Sequence, residues 1–157
     1  MRAARTILST CVRGREARRD IHGTWAVDAF GNDDAADWAY GLENVKDLSL
    51  VITTLEKAIA GAGEYLEAPD ATEALAAIEV IARLQGNWGE RSPYSEPVDL
   101  WVEANRLVPP CDVVGKAHRV LDLILGENSE LNELWRESDE HSDWLASVME
   151  LKSRVHA

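Results

Sequence analysis

The chain has 157 residues, 46% of them hydrophobic and six of them tryptophan. That is enough for one domain burying about 68–70% of the surface its unfolded chain exposes, which argues against a mainly disordered protein. Of the net charge of -12, residues 1–21 contribute +4 (Arg2, Arg5, Arg13, Arg15, Arg18 and Arg19 against Glu16 and Asp20), so residues 22–157 carry -16; such a body repels nucleic-acid phosphates and anionic membranes and favours a basic protein or a cation.

Thr24-Trp-Ala-Val27 reads as a short extended piece, with Phe30 as a hydrophobic staple ahead of the first helix. Ala35, Trp38, Leu42 and Val45 then recur at three or four residues, and Asn32 or Asp33 precedes them as a cap, which predicts a helix over about 33–45. Leu48, Val51, Ile52, Leu55 and Ile59 form a second helical stripe, ending at Gly61-Ala-Gly63 where a glycine can take the left-handed cap. Residues 65–69 are a connector. Asp70 and Glu73 have the spacing of a capping box for an alanine-rich third helix over about 71–85, stopped by Gly86.

Two glycines and two prolines make residues 86–97 a loop. Pro97 suits the first position of a short fourth helix to about 107, which Pro109-Pro110 keeps from continuing. Asp112 opens a fifth helix with the widest apolar face (Val113, Val114, Ala117, Val120, Leu121, Ile124, Leu125), closed by Gly126. Ser129 caps a short segment bearing Leu131, Leu134 and Trp135. A last helix after Asp139 reaches about residue 155 through Trp144, Val148 and Leu151. The expectation is an all-α, compact single-domain bundle of about six helices over residues 22–157, with an irregular or short extended start. Residues 1–21 are expected to lie outside it.

Few residues are arranged for chemistry. Asp33, Asp34 and Asp37 lie close enough in sequence to suggest a divalent-cation site, but acids in a first turn also face the positive end of a helix dipole, which is the plainer reading. His118 with Asp122, and Glu137 with His141, have the spacing of helix-surface pairs. No nucleophile elbow, phosphate loop or dinucleotide fingerprint is present, so no catalytic residue and no cofactor is assigned. Trp38, Trp101, Trp135 and Trp144 fall on apolar stripes and are expected in the core. Trp88 and Tyr94, in the polar loop, are a candidate contact surface. Cys11 and Cys111 provide no disulfide framework, and no run of 18 apolar residues could span a membrane, so a reducing, cytoplasmic setting is expected.

Gly23, Thr24, Trp25, Phe30, Asn32, Asp33, Asp34, Ala35, Asp37 and Trp38, with Glu64–Pro69, Ala74–Ala77, Ser129–Leu131 and Leu134-Trp135, make the chain resemble the bacterial domain of unknown function 4259 family over about residues 23–155. The resemblance implies that Ala26 and Asp28 replace usual glycines, and that His22 stands where an initiator Met is usual, so that residues 1–21 are an upstream extension. It implies no activity. The function expected from the residues is a non-enzymatic, acidic protein-binding domain, with immunity and antitoxin-like proteins as one class having such surfaces; the alternative is a small metal-assisted hydrolase using Asp33, Asp34 and Asp37.

Overall fold

The computed structural model describes residues 29–156; the extended reading of Thr24–Val27, the leader and the positions of Gly23, Thr24 and Trp25 lie outside them. Among the described residues the fold is all-α, with seven helices: α1 (Asp33–Leu42), α2 (Ser49–Gly61), α3 (Ala68–Leu84), α4 (Glu96–Ala104), α5 (Cys111–Ile124), α6 (Glu130–Arg136) and α7 (His141–Arg154). The expected bundle of about six helices is borne out, with the segment after Ser129 forming a helix of its own. Its serine cap holds: Ser129 Oγ accepts from Asn132 N–H at 3.3 Å.

The organising element is α3, which packs against all six other helices. Its sequence explains how. A helix surrounded by neighbours must be apolar on every side, and Ala71, Ala74, Ala76, Ala77, Ile78, Val80, Ile81 and Ala82 are all fully buried. The alanines remove bulk on successive faces, so neighbouring helices can approach without bending the chain.

Around α3 the apolar stripes read from the sequence face inward. Trp38, Trp101, Trp135 and Trp144 are all buried, as expected. An indole carries an N–H that needs a partner when buried, and two of these serve as ties between elements. Trp38 Nε1 donates to Thr54 Oγ1 on α2 at 2.8 Å, and Thr54 Oγ1 donates onward to the Leu50 carbonyl at 2.7 Å. Trp101 Nε1 donates to the Val45 carbonyl at 2.8 Å, fixing α4 against the end of α1.

Helix ends depart from expectation in several places. At α1 the cap is Asn32, whose Oδ1 accepts from Ala35 N–H at 2.9 Å while Asp33 and Asp34 occupy the first turn. Asn32→Ala should lower stability by about 0.5–2 kcal/mol, measured by urea unfolding, whereas Asp33→Ala should leave it within about 0.5 kcal/mol. The capping box expected from Asp70 and Glu73 does not form, because α3 starts earlier, with Glu67 at the cap position and Pro69 in the first turn. A residue distant in sequence does that work: Glu130 Oε1 accepts from Ala68 N–H at 2.8 Å. Asp70 instead pairs with Lys57 at 3.4 Å.

Glycine supplies a left-handed cap after α3 rather than after α2. Gly86 has φ +87, and its N–H reaches the Arg83 carbonyl while Asn87 N–H reaches that of Ala82. These two bonds form a complete Schellman closure, so Gly86 both ends α3 and turns the chain into the long loop. Gly61 remains helical and Ala62 follows in a right-handed conformation. Helix α5 begins at Cys111 with Pro110 as its cap residue, one position before the expected Asp112. Phe30 is buried but stands two residues before the Asn32 cap instead of in the adjacent staple position.

Candidate functional site

Beside α3 lies a cavity of about 210 Å³. Thr72, Leu75, Glu79 and Arg83 of α3 form one wall, and Leu131, Trp135, Trp144 and Val148 of α6 and α7 form the facing apolar wall. Ala29, Phe30 and Asn32 close it where the described chain begins, and Ser92, Ser95 and Arg154 complete its polar side.

The polar side is an ion-pair network on an otherwise apolar helix. Glu79 and Arg83 lie one turn apart on α3 and pair directly. Arg83 Nε donates to Asp99 Oδ1 on α4 at 2.8 Å, and its Nη2 donates to the Glu90 carbonyl at 3.0 Å. From α7, Arg154 Nη2 donates to Glu79 Oε2 at 2.9 Å, Nη1 to the Asn87 carbonyl at 3.2 Å, and Nε to Glu150 Oε2 at 2.7 Å. Asp99 also accepts from Ser95 Oγ at 2.7 Å. The Arg83 side chain is only 1% exposed and that of Asp99 8%, so these charges depend on one another instead of on water. Burial opposes the charge on Arg154, but its bonds to Glu79 and Glu150 outweigh that and hold the group above its ordinary arginine range.

One glycine permits this arrangement. A Cβ on Gly89 would lie 2.8 Å from Arg154 Nη1, inside contact distance of a guanidinium already anchored by Glu79, Glu150 and Asn87. The loop backbone can therefore pass beside Arg154 only without a side chain there.

This chemistry favours cohesion over catalysis. Glu79 and Asp99 are each bonded to a guanidinium, which ties α3 to α4 and α7. Ser95 meets a carboxylate without an intervening imidazole, and Cys111 is exposed at the start of α5, away from the cavity.

Of the residues singled out in the sequence, Phe30, Asn32, Trp135 and Trp144 line the cavity, and the candidate site and contact residues sit elsewhere. Asp33 and Asp37 are exposed, Asp34 is half-buried, and none of the three lines the cavity. Among the described residues, no group of three or more His, Cys, Asp or Glu side chains could hold a metal ion. Trp88 and Tyr94 have different surroundings: Trp88 is partly buried against the core with the Arg83 and Arg91 guanidiniums 5.7 and 4.1 Å from its ring centre, whereas Tyr94 is 54% exposed. His118 Nε2 lies 2.8 Å from the Val155 carbonyl, and Asp122 instead pairs with Lys152 at 2.9 Å. His141 Nε2 lies 2.9 Å from Asn132 Oδ1, and its ring stacks near Trp144 instead of engaging Glu137.

The other notable feature is a strongly acidic stretch. Between Glu127 and Asp143 the chain has seven acidic residues and one arginine, and Glu127, Glu137, Asp139, Glu140 and Asp143 are exposed. Its framework is firmly held. Leu131, Trp135 and Trp144 are buried, Trp135 stacks with Trp144 at 6.2 Å, and Leu66 N–H and carbonyl bond to Asn128 and Glu130 across the connector. Tyr65 donates to Glu133 Oε1 at 2.7 Å, and that bond, reinforced by burial and nearby carboxylates, pushes its phenol up to about 12.

Sequence reading missed the Glu79–Arg83–Asp99–Arg154 network. A signal for half of it was present, since Glu79 and Arg83 interrupt at i and i+4 the run 74–84, otherwise composed of alanine and branched aliphatics. Nothing local pointed to Arg154, which lies 75 residues from Glu79 in sequence.

Among the described residues, no helix is long and apolar enough to cross a membrane. No curated protein and no solved structure matches the chain. A family described as a domain of unknown function (DUF4259) matches residues 23–147, which covers the first described turn, the acidic stretch and the cavity lining up to Ser147. The chain belongs to the domain of unknown function 4259 family.

Proposed function

We propose that this domain is a non-enzymatic binding module that engages a basic protein through its acidic surface. The observation that carries the reading is the exposed acidic stretch from Glu127 to Asp143, set on a body with 25 acidic and 10 basic residues over 29–156. Six of those ten, Lys57, Arg83, Arg91, Lys116, Lys152 and Arg154, are engaged in intramolecular ion pairs. The surface therefore carries a large excess of negative charge, which steers a cationic partner and raises its association rate.

Rigidity supports the same reading. The exposed acids after α6 lie in the connecting turn and the first turn of α7, between the buried Leu131 and Trp135 of α6 and the buried Trp144 of α7, so a partner would meet charges already in place and less freedom would be lost on binding. Immunity and antitoxin-like proteins work through surfaces of this kind, and the proposal joins that class by analogy. The same reading places the domain in the reducing cytoplasm, in keeping with an exposed free thiol at Cys111. A metal-assisted hydrolase would need ligands converging on a cation, and no observation among the described residues favours it.

Affinity capture with the full chain tests the proposal. At low ionic strength, where charge steering is strongest, a basic protein should be retained and then released as salt is raised through 0.15 M, where the Debye length falls to about 8 Å. Recovery of no protein at low salt would count directly against the reading.

A further inference from the structure

We propose that the cavity beside α3 is a binding site for a small neutral molecule, one or two aromatic rings carrying a single N–H or O–H group. Its volume sets the size. An apolar cavity of about 150 Å³ takes benzene, and pockets for drug-sized ligands run to roughly 300–1,000 Å³. At about 210 Å³ the space suits one substituted ring or two fused ones. Exposed Glu90 and Glu150 are among the lining residues, so the cavity is reached from the surface on that side.

The lining sets the chemistry. Leu75, Leu131, Trp135, Trp144 and Val148 offer apolar and aromatic contact, and rings packed on rings add stacking energy beyond their buried area. Thr72, on the α3 wall, supplies the polar anchor. It is 2% exposed, and its Oγ1 is buried with no hydrogen-bond partner among the described residues. A helical threonine can turn its hydroxyl to the carbonyl one turn back, as Thr54 does with Leu50 at 2.7 Å, but Thr72 does not. Seven residues separate Thr72 from Glu79, about 10 Å along the helix axis, so the hydroxyl stands clear of the ion-pair network. A ligand donor placed there gives the hydroxyl the partner that burial demands. The domain already contains this pairing, with Trp38 Nε1 donating to Thr54 Oγ1 at 2.8 Å.

The charges select against ions. Arg83 is matched by Glu79 and Asp99, and Arg154 by Glu79 and Glu150, so neither guanidinium is left to hold a ligand anion. Glu79 is shared between both arginines and is equally committed against a ligand cation. This binding role stands independently of the proposed partner surface.

Thermal unfolding and NMR titration of the full chain test the assignment with three probes: indole, its carbon analogue indene, and the anion indole-3-carboxylate. Indole at ten times its Kd should raise Tm by about 3–6 °C, and its ring protons should show NOEs to the methyl groups of Leu75 and Val148. Indole-3-carboxylate should leave Tm unchanged. Thr72→Val removes a hydroxyl that has no partner to lose, so its own Tm should be equal to or above that of the wild type. In that variant indole should bind about 3- to 10-fold more weakly, the worth of one hydrogen bond, while indene binding is unchanged. No Tm shift at millimolar indole, NOEs to residues outside the cavity, or binding of the carboxylate as tight as that of indole each overturns the proposal. So does indole affinity that survives Thr72→Val, or a lowered Tm in the unliganded variant, which would mean that the hydroxyl is already satisfied within the chain.

Discussion

Arg83→Met should lower folding stability by about 3–5 kcal/mol, the cost of removing one partner from a buried ion pair. Arg83 bonds to Glu79 and Asp99 side chains and to the Glu90 carbonyl, joining α3, α4 and the loop between them. Methionine fills much of the volume but leaves Asp99 buried with Ser95 and a more distant Arg91 at 3.7 Å as its partners. Glu79 keeps Arg154, so the effect should fall toward the lower end of the range. Urea unfolding with an unchanged m-value would isolate the stability term. Arg83→Lys should recover little, because a point ammonium cannot address a carboxylate on each side and a carbonyl with the planar fork of arginine. A loss below about 1 kcal/mol in Arg83→Met would mean that the network is solvated and contributes no more than a surface pair.

Trp144→Ala should cost a similar amount, about 3–5 kcal/mol, for a different reason. The ring is 2% exposed, stacks on Trp135 at 6.2 Å with an interplanar angle of 11°, and forms part of the cavity wall. Truncation would merge its own volume with space already present, and the surrounding helices, fixed to α3, have little room to collapse into it. Thermal unfolding should show a fall of about 2–4 °C for each kcal/mol lost, with Trp144→Phe showing clearly less. Equal and small losses in both variants would show that the α6–α7 contact adds little to the core.

The sequence carried the helical architecture because periodic burial is a local property. Trp38, Leu55, Leu121 and Leu151 announce their inward faces through neighbours three and four residues away, and the structure buries them all. Helix ends were less legible. The α3 start was misplaced because its capping carboxylate, Glu130, lies 62 residues from Ala68, and no pattern within one turn can reveal such a partner. Similarly, spacing alone paired His118 with Asp122, although tertiary contacts give those groups to Val155 and Lys152. The acids after Asn32 lie close enough in sequence to suggest a cation site; the structure instead has Asn32 as a helix cap, with Asp33 and Asp34 in the helix's first turn. The polar side of the cavity is assembled from residues on α3, on α7 and in the loop before α4, so only its i,i+4 pair could be seen in the chain.

Charge was legible from composition, but its placement was not. The concentration of exposed acids between the end of α6 and the first turn of α7 matters more to the functional proposal than the total, because a rigid cluster sets a direction for an approaching partner. The most direct measurement is therefore the affinity of the recovered basic partner as a function of ionic strength, for wild type and for a variant with Glu137→Lys, Asp139→Lys, Glu140→Lys and Asp143→Lys. The proposed role predicts an affinity that falls steeply with salt in the wild type and is lost at low salt in the charge-reversed variant while its unfolding curve is retained. Undiminished binding by a folded, charge-reversed variant would contradict it.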